Sequence, residues 1–572
     1  MSYRTEYEKW LASDKISDAE RAELLAIAND EKEIESRFFA PLSFGTAGLR
    51  GVLGAGINRM NVHTVRQATQ GLASLICSMG KDAMEKGVAI AMDCRICSDE
   101  FAKEAAKVLA GNGIKVYLFE SLRPTPELSF AILTIGTIAG INITASHNPK
   151  EYNGYKAYWS DGAQLPPKQA GIVAEEIAKC DIFEGIKSMD LDKAVKKGIV
   201  TIIGEEVDEA FLHHAYAMAI NKEAVAKIAD DFKVVFTPFH GTGWKLVPDI
   251  LRRIGIKNII TVDEQMVIDG NFPTVKSPNP ENKEGFTRAI EIAKENGVDL
   301  IIGTDPDADR VGVVVRAGDD YVTISGNQMG VLLLDYIITA RRETNTMPEK
   351  PVALKTIVTT ELARIVCEKN GIEIYDTFTG FKFLAEKINA LQKDGYEYLL
   401  AYEESYGYLM GDYARDKDAV TASMMIAEMA AYYAGRGMNL YDAMCSIYER
   451  YGYFAESTIS IVMPGVDGLR DMARLMANLR ENPPKEIAGV AVKALRDYQS
   501  GERRVFGGET EKMELSGSNV LYFEMADGTS FIVRPSGTEP KVKVYIMVSG
   551  ADAAECDAKV AAFSDAANAL AK

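Results

Sequence analysis

The chain has 572 residues, of which 47% are hydrophobic, so it is long enough to form several domains with cores of their own. Its net charge of -18 argues against a nucleic-acid partner, because phosphate backbones are bound through an excess of lysine and arginine. The N-terminus lacks the apolar core of a signal peptide, and no apolar run approaches the roughly 18 residues that span a bilayer, so we expect a soluble, cytoplasmic protein with no membrane partner.

Apolar periodicity divides the chain into regions. Residues 1 to about 38 are polar with apolar residues at helical spacing, which predicts an N-terminal helical extension. Short apolar runs then alternate with helical segments in three successive units, which is typical of βαβ units on a largely parallel sheet. From about Gly452 the chain is strand-rich and closes with a helix. We therefore predict three α/β domains and a C-terminal α+β domain, at residues 1–205, 206–323, 324–451 and 452–572.

The cysteines indicate neither a disulfide framework nor a metal site. There are seven, an odd and sparse set for so long a chain. Cys94 and Cys97 form a CxxC, but no second pair or histidine cluster completes a zinc site. We interpret them as reduced structural thiols, with redox or metal use as the minor alternative.

The segment "LSFGTAGLRG", residues 42–51, is a glycine-rich loop in which the backbone can approach an anion, and Arg50 adds a positive fork. It is not a P-loop, because no Lys-Ser/Thr follows at the required spacing. By itself this loop is a weak signal.

The segment "TASHNP", residues 144–149, places Ser146 beside His147 after an apolar run. The following Asn153-Gly154 predicts a tight turn with positive φ that would carry Lys156 back over Ser146. His147 and Lys156 could then assist proton transfer. For the Ser-His pair alone, local turn hydrogen bonds are the favoured interpretation.

The segment "TDPDADR", residues 304–310, contains a candidate metal site. Asp305, Asp307 and Asp309 would repel one another, and a hard cation such as Mg²⁺ would relieve this repulsion. An EF-hand is excluded because Arg310 and Arg316 stand where glycine and glutamate are required. A solvated acidic turn is the alternative, and the apolar runs on both sides argue against it.

Two further segments carry polar groups suited to a sugar phosphate. In "YEESYGY", residues 402–408, Glu403 and Ser405 would point the same way on extended chain and could bind two sugar hydroxyls, and "ARDKD" follows with Arg415 and Lys417. The segment "RPSGTEPK", residues 534–541, offers donors for one phosphate group: Arg534, Ser536, the Gly537 amide and Thr538. An ordinary turn would explain "RPSGTEPK" equally well, and a helix start or a salt-bridged surface would explain "YEESYGY" equally well.

In this order, and over almost the whole chain from about residue 40, these segments resemble the α-D-phosphohexomutase superfamily. "TASHNP" resembles its phosphoserine loop, "DPDADR" its metal loop, "EESYG" its sugar-specificity loop and "RPSGTEPK" its C-terminal phosphate loop. The resemblance implies an α/β protein of four domains, three related mixed α/β domains and a C-terminal α+β domain, around a central active-site cleft. It overturns the turn interpretation of Ser146.

The resemblance also implies roles for individual residues. Ser146 would carry a phosphoryl group and, with Asp305, Asp307 and Asp309, would hold Mg²⁺. Arg50 and Lys156 would flank the transferred phosphate, with Lys156 or His147 as the acid/base. Substrate contacts are implied for Arg310, Thr379, Gly380, Glu403, Ser405, Arg415, Lys417, Arg534, Ser536, Gly537 and Thr538.

The activity implied is reversible interconversion of glucose 1-phosphate and glucose 6-phosphate, with glucose 1,6-bisphosphate as intermediate and activator. "EESYG" is more similar to the "GEESFG" of phosphoglucomutases than to the "GEMSGH" or "GEHSGH" of phosphomannomutases. "FGTAGLRG" and the helical extension resemble a branch that also contains phosphopentomutases and glucose-1,6-bisphosphate synthases. Pentose phosphates, mannose phosphates and bisphosphate synthesis therefore stay open, as do a non-catalytic sugar-phosphate sensor and a metal phosphatase. We expect a monomer or homodimer.

Overall fold

The structure is a computed structural model that describes residues 2–45, 48–463, 468–536 and 541–570. The chain divides into two compact units, Met1–Gly326 with Ser405–Asn439, and Asn327–Glu404 with Leu440–Lys572. Within these described ranges, no helix is long and apolar enough to cross a membrane. The seven cysteines all fall in the described ranges and are free thiols, as predicted.

The first unit begins with the helices of the predicted N-terminal extension: α1 (Tyr3–Ala12), α2 (Asp18–Ala26) and α3 (Glu31–Phe38). Each starts after a serine or aspartate whose side chain accepts a backbone N–H of the first turn, which satisfies a donor that has no partner inside the helix. Their apolar faces share a core that contains Trp10 and Phe38. Because each helix is short, this shared core is what holds the extension in place.

The first sheet follows in the same unit. Its strands are β1 (Leu49–Val52), β2 (Val88–Met92), β3 (Val116–Phe119), β4 (Ala139–Ile143), β5 (Tyr152–Trp159) and β6 (Val200–Ile203). The order is β1-β5-β4-β2-β3-β6. Strands β4, β2, β3 and β6 are parallel to one another, and β5 is antiparallel to both of its neighbours, β4 and β1. The helices are α4 (Val62–Ser78), α5 (Lys81–Lys86), α6 (Ser98–Gly111), α7 (Thr125–Ile135), α8 (Pro167–Lys179) and α9 (Leu191–Lys196). The carboxyl ends of β2 and β4 meet at one edge, the usual place for a site in such sheets.

A second sheet in the first unit has the order β11-β10-β9-β7-β8. Its strands are β7 (Lys233–Thr237), β8 (Asn258–Thr261), β9 (Leu300–Thr304), β10 (Val311–Ala317) and β11 (Asp320–Ile324). The helices of this region are α10 (Glu205–Ala217), α11 (Lys222–Ile228), α12 (Gly243–Arg253), α13 (Asp263–Met266) and α14 (Thr287–Asn296), with a 3₁₀ turn at Lys283–Phe286. The "TDPDADR" segment joins β9 to β10, so it lies at a strand end as its apolar flanks predict.

A third sheet lies in the second unit, with β12 between β13 and β14 and all three parallel. The elements of this stretch of chain are α15 (Gly326–Glu343), β12 (Pro351–Thr356), α16 (Leu362–Lys369), β13 (Glu373–Thr377), α17 (Phe381–Lys393), β14 (Glu397–Glu403), β15 (Gly407–Leu409), α18 (Ala419–Ala434) and α19 (Leu440–Tyr451). Of these, β15 and α18 fall in the first unit.

The C-terminal region is an antiparallel sheet with the order β16-β23-β22-β21-β18-β19-β20 and with β17 paired to β18. Its elements are β16 (Tyr453–Val462), α20 (Gly468–Glu481), β17 (Glu486–Ile487), β18 (Val490–Asp497), β19 (Glu502–Val505), β20 (Thr510–Lys512), β21 (Leu521–Met525), β22 (Ser530–Pro535), β23 (Lys541–Gly550) and α21 (Ala553–Ala569). The predicted fold class, three mixed α/β domains and a C-terminal α+β domain, is confirmed. The four domain boundaries stay predictions.

Candidate active site

Ser146 lies just beyond the carboxyl end of β4, in a loop whose backbone is under strain. Its φ is +52°, a left-handed conformation that non-glycine residues rarely adopt. The Ser146 N–H donates to Thr144 Oγ1 at 2.8 Å, which fixes the turn locally. The buried Ser146 hydroxyl donates to Asp305 Oδ2 at 2.7 Å. The serine and the acidic loop therefore form one site.

The predicted turn at Asn153-Gly154 is wrong, because both residues lie inside strand β5. Gly154 does not have a positive φ. Glycine is needed there because a side chain would collide with the Thr144 carbonyl oxygen, 2.5 Å from the Cβ position. Lys156 reaches the site because β5 runs antiparallel to β4 and pairs it with Asn142, which brings its side chain to the acidic loop.

The three aspartates of the acidic loop converge. One carboxylate oxygen from each of Asp305, Asp307 and Asp309 lies within 4.8 Å of the others, and all three residues are buried. Asp305 Oδ1 accepts the backbone N–H groups of Asp309 at 3.1 Å and Arg310 at 3.0 Å. The loop is thereby folded around one of its own carboxylates, with Ala308 at a φ of +48°.

Two lysines partly neutralise this cluster. Lys156 Nζ donates to Asp307 Oδ2 at 2.6 Å and to Asp309 Oδ2 at 3.2 Å, and Lys417 Nζ lies 3.3 Å from Asp309 Oδ2. Burial opposes the charged forms of Asp307 and Asp309, but these lysines outweigh it and hold both pKa values below normal. Burial and the two neighbouring carboxylates raise the pKa of Asp305 well above normal.

The donor atoms of the cluster fit a hard divalent cation. Among the residues that the structure describes, the buried Asp307 Oδ1 and Asp309 Oδ1 find no hydrogen-bond donor, although buried carboxylate oxygens are normally satisfied. Together with the Ser146 hydroxyl, the three carboxylates offer an all-oxygen set of the kind that Mg²⁺ prefers.

His147 and Arg50 also lie at the serine loop. His147 Nδ1 is 3.3 Å from Ser146 Oγ, and burial together with the charges of Arg310 and Arg50 lowers the pKa of His147 well below normal. The imidazole is therefore neutral at physiological pH. Arg50 Nη1 donates to Asn148 Oδ1 at 3.1 Å, so its guanidinium is next to the serine.

Two of the residues predicted to bind substrate, Arg310 and Lys417, lie at the acidic loop, and Arg415 contacts Ser129 instead. Arg310 pairs with Glu281 at 3.1 Å, and its Nε is 3.8 Å from Asp309 Oδ1. Lys417 contacts Asp309 and also Asp416, at 3.1 Å. The Arg415 N–H donates to Ser129 Oγ at 2.8 Å, while its guanidinium donates to carbonyls of its own segment.

The second unit holds the predicted sugar loop. Glu403 is buried, and its Oε1 accepts the Gly380 N–H at 2.8 Å. Thr379 Oγ1 is buried without a hydrogen-bond partner among the described residues, so it can bind a ligand hydroxyl. The predicted extended geometry of Glu403 and Ser405 is wrong, because β14 ends at Glu403 and Ser405 lies in the turn that follows.

The predicted phosphate loop follows β22, also in the second unit. Arg534 is paired with Lys543 on β23, and its Nη1 donates to the Tyr545 hydroxyl at 3.4 Å. The Ser536 N–H donates to the Lys541 carbonyl at 2.8 Å. The two other predicted donors, Gly537 and Thr538, lie outside the described residues.

Residues that the sequence motifs do not single out also surround these sites. Lys382 follows Gly380 on α17, and burial together with the Arg534 charge lowers its pKa. Thr125 Oγ1 donates to Asp307 Oδ2 at 2.7 Å. Arg95 contacts the serine loop itself, and its place after strand β2 was the available signal, since the carboxyl ends of parallel strands face the site.

Comparison with known families accounts for most of the chain. The family descriptions that match are those of phosphoglucomutase/phosphomannomutase: alpha/beta/alpha domain I at residues 41–182, domain II at 209–318, domain III at 325–451 and the C-terminal domain at 475–563.

Individual relatives match over nearly the whole length. A phosphoglucomutase of Staphylococcus saprophyticus is 38% identical over 520 residues, which covers 90% of this chain and 92% of that protein. A phosphoglucomutase of Staphylococcus aureus is 37% identical over 532 residues, covering 91% and 92%.

Solved structures show the same fold at lower identity. The phosphoglucomutase parafusin of Paramecium has a TM-score of 0.66 at 17% identity, covering 93% of this chain and 95% of that one. A phosphoglucomutase/phosphomannomutase family protein of Burkholderia thailandensis has a TM-score of 0.65 at 18% identity, covering 92% and 97%.

Proposed function

Because this chain belongs to the phosphoglucomutase/phosphomannomutase family, we propose that it is a phosphoglucomutase, which interconverts glucose 1-phosphate and glucose 6-phosphate. Such an enzyme is an isomerase of the intramolecular phosphotransferase type. The observation that carries the proposal is the 2.7 Å hydrogen bond from Ser146 to Asp305 inside a cluster of three carboxylates.

Ser146 is the phosphoryl carrier in this proposal. The phosphoserine gives its phosphoryl group to the free hydroxyl of a sugar monophosphate. The new bond to phosphorus forms as the bond to Ser146 Oγ breaks, the sugar hydroxyl loses its proton, and Oγ takes one up. The product is glucose 1,6-bisphosphate, which also activates the enzyme by charging Ser146. After the bisphosphate reorients, its other phosphoryl group returns to Ser146 and the isomeric monophosphate leaves.

The charges around Ser146 explain how it reacts. Ser146, Asp305, Asp307 and Asp309 would hold Mg²⁺, which when bound would neutralise charge on the transferred phosphoryl group. Lys156 and Arg50 supply fixed positive charge beside the transferred phosphoryl group. Either His147, which is neutral and has Nδ1 3.3 Å from Ser146 Oγ, or Lys156 acts as the acid/base that takes the proton of the sugar hydroxyl and returns one to Oγ. Ser146 is thus activated by charge neutralisation and not by a hydrolase-style triad.

Sugar and distal phosphate are assigned to the second unit. Glu403, oriented by the Gly380 N–H, and Thr379 bind glucose hydroxyls, and Ser405 is a further predicted sugar contact. The phosphate that is not reacting is held by Arg534, Ser536, Gly537 and Thr538. Arg310 and Lys417 act at the acidic loop, and Arg415 is a further proposed substrate contact. We propose Mg²⁺ as the metal and sugar phosphates as the ligands. We also expect the protein to be a monomer or homodimer in the cytoplasm.

The test is an assay of purified protein with Mg²⁺ and a trace of glucose 1,6-bisphosphate. Wild type should isomerise glucose 1-phosphate, and Ser146→Ala should lose essentially all activity. Ser78→Ala, the same change at the end of α4 and outside the site, serves as the matched control and should stay active. Full activity in Ser146→Ala would overturn the proposal, and so would release of free phosphate at the rate of substrate loss.

A further inference from the structure

Arg95 is a buried arginine that holds the serine loop by its backbone. Its side chain is 0% exposed. Nη1 donates to the carbonyl oxygens of Pro149 at 2.8 Å and Tyr152 at 2.9 Å. Nη2 donates to the carbonyl oxygens of Ser146 and Asn148. A single guanidinium therefore donates hydrogen bonds to four backbone carbonyls of the loop that begins at Ser146.

Arg95 is itself fixed by its neighbours on the β2 side. Its Nε lies 3.3 Å from Asp93 Oδ2. Asp93 Oδ1 accepts the Arg95 N–H at 2.9 Å and the Ser98 hydroxyl at 2.8 Å. The Arg95 charge is thus paired, and moving the side chain away would leave the buried Asp93 carboxylate without its partner.

A segment of the second sheet's domain covers Arg95 from the other side. The Phe272 ring lies 5.2 Å from the guanidinium carbon of Arg95, within the range of a cation–π contact. Gly270 packs so closely on the Arg95 segment that a Cβ there would be 2.6 Å from the Ile96 nitrogen. From the same segment, the Ser277 hydroxyl donates to the His147 carbonyl at 3.3 Å.

His240 anchors this covering segment. It is buried, and its two ring nitrogens are 2.7 Å from the Val267 carbonyl oxygen and 2.8 Å from Thr274 Oγ1. Contacts at both ends of the stretch that contains Gly270 and Phe272 keep that stretch in place against Arg95.

We propose that Arg95 is a positioning residue for phosphoryl transfer, which holds Ser146 in its left-handed conformation so that Oγ faces the acidic loop. This inference rests on the proposed role of Ser146. Lysine cannot replace Arg95, because only the planar fork presents two nitrogens to two pairs of carbonyls at once. A displacement of Oγ by about 1 Å is enough to slow a positioned reaction about 100-fold.

The experiment compares Arg95→Lys with wild type after both are charged with glucose 1,6-bisphosphate. Intact mass counts the phosphorylated sites, and quenched single turnover with glucose 1-phosphate gives the transfer rate per charged site. We expect the rate per charged site to fall about 100-fold while KM for glucose 1-phosphate changes less than about threefold, because the sugar and distal-phosphate residues are untouched.

A second variant and a control separate positioning from general stability. Phe272→Leu should lower the rate per charged site about fivefold through the weaker hold on Arg95. Arg123→Lys alters another buried arginine of the same domain, one that pairs with Asp208 at 2.6 Å. It should lower the melting temperature while its rate per charged site stays within about twofold of wild type.

The outcomes distinguish the two claims. A wild-type rate per charged site in Arg95→Lys overturns the positioning role and leaves the phosphoserine intact. If Arg95→Lys does not fold, a wild-type rate in Phe272→Leu overturns the positioning role instead. A wild type that is never charged at Ser146 overturns the proposed function together with this inference.

Discussion

At Ser146 the backbone adopts a φ of +52°, and a non-glycine residue keeps that conformation only where its surroundings impose it. Here the Ser146 N–H donates to Thr144, its hydroxyl donates to Asp305, and its carbonyl oxygen accepts from Arg95. Each polar group of the serine therefore has a separate partner. These three contacts hold Oγ at one defined position, as a reaction at that atom requires.

Metal removal tests the acidic loop at the residue scale. Mg²⁺ should raise the melting temperature of wild type, because a ligand that binds only the folded state stabilises that state. At a Mg²⁺ concentration of 100 times Kd, the free energy of unfolding should rise by about 2.7 kcal/mol. Asp307→Asn should lose most of this rise, and Asp319→Asn, on the exposed turn between β10 and β11, should keep it. An equal rise in both variants, measured by thermal unfolding with Mg²⁺ and with a chelator, would contradict a metal site at Asp307.

A second residue-scale prediction concerns Glu127 on α7. Burial, followed by the neighbouring Asp208, raises the pKa of Glu127 well above normal. The folded protein then holds a proton that the unfolded chain releases, so this group's contribution to stability falls as pH rises from the ordinary glutamate pKa toward the raised one. Glu127→Gln cannot ionise and should escape this loss, which is at most about 1.4 kcal/mol per pH unit.

Thermal unfolding between about pH 5 and pH 8 measures this effect. The melting temperature of Glu127→Gln minus that of wild type should increase as pH rises. Glu175→Gln, an exposed position on α8, should show a constant difference. A constant difference for Glu127→Gln as well would show that Glu127 ionises normally in the folded protein.

At the element scale, strand pairing decides features that local sequence signals get wrong. Asn153-Gly154 has the composition of a tight turn, yet it lies inside β5 because β1 and β4 pair with that strand on both sides. The Asp triplet, in contrast, was identified correctly as a cluster, because its three members lie within one short loop whose flanking apolar strands fix it. The contacts of Arg95 with carbonyls could not be predicted, since a carbonyl is the same for every residue type.

A buried lysine links elements of the second unit. Lys355 on β12 is 0% exposed and contacts Glu361 at 2.8 Å and Asp376 at 3.1 Å. Lys355→Met should lower the free energy of unfolding by about 3 to 5 kcal/mol, because it leaves these carboxylates without their buried partner. The exposed Lys350→Met should change it by less than about 0.5 kcal/mol. Denaturant midpoints that are equal for the two variants would contradict this account.

For the whole molecule, an acidic overall charge contrasts with a local concentration of cations at the candidate site. The chain carries a net charge of -18, while Arg50, Lys156, Arg310 and Lys417 gather around Ser146 and its acidic loop. An anionic substrate is therefore attracted only where the chain concentrates its cations. The fold class and the family could be predicted from the order of motifs along the chain, but the position of Lys417 beside Asp309 required the fold.

Substrate preference is a property of the assembled molecule. Because "EESYG" is more similar to the phosphoglucomutase form of this loop, we expect kcat/KM for glucose 1-phosphate to exceed that for ribose 1-phosphate and mannose 1-phosphate by about tenfold or more. A panel of the three sugar phosphates under one condition measures this ratio. A higher value for ribose 1-phosphate would assign the chain to pentose phosphates while leaving the phosphoserine chemistry unchanged.

The measurement that tests the central claim most directly is intact-mass and peptide analysis after incubation with glucose 1,6-bisphosphate and Mg²⁺. The account predicts a gain of one phosphoryl group, located on Ser146, and its loss when glucose 1-phosphate is added. Turnover of glucose 1-phosphate without any phosphoryl group on Ser146, or with the group on another residue, would contradict it.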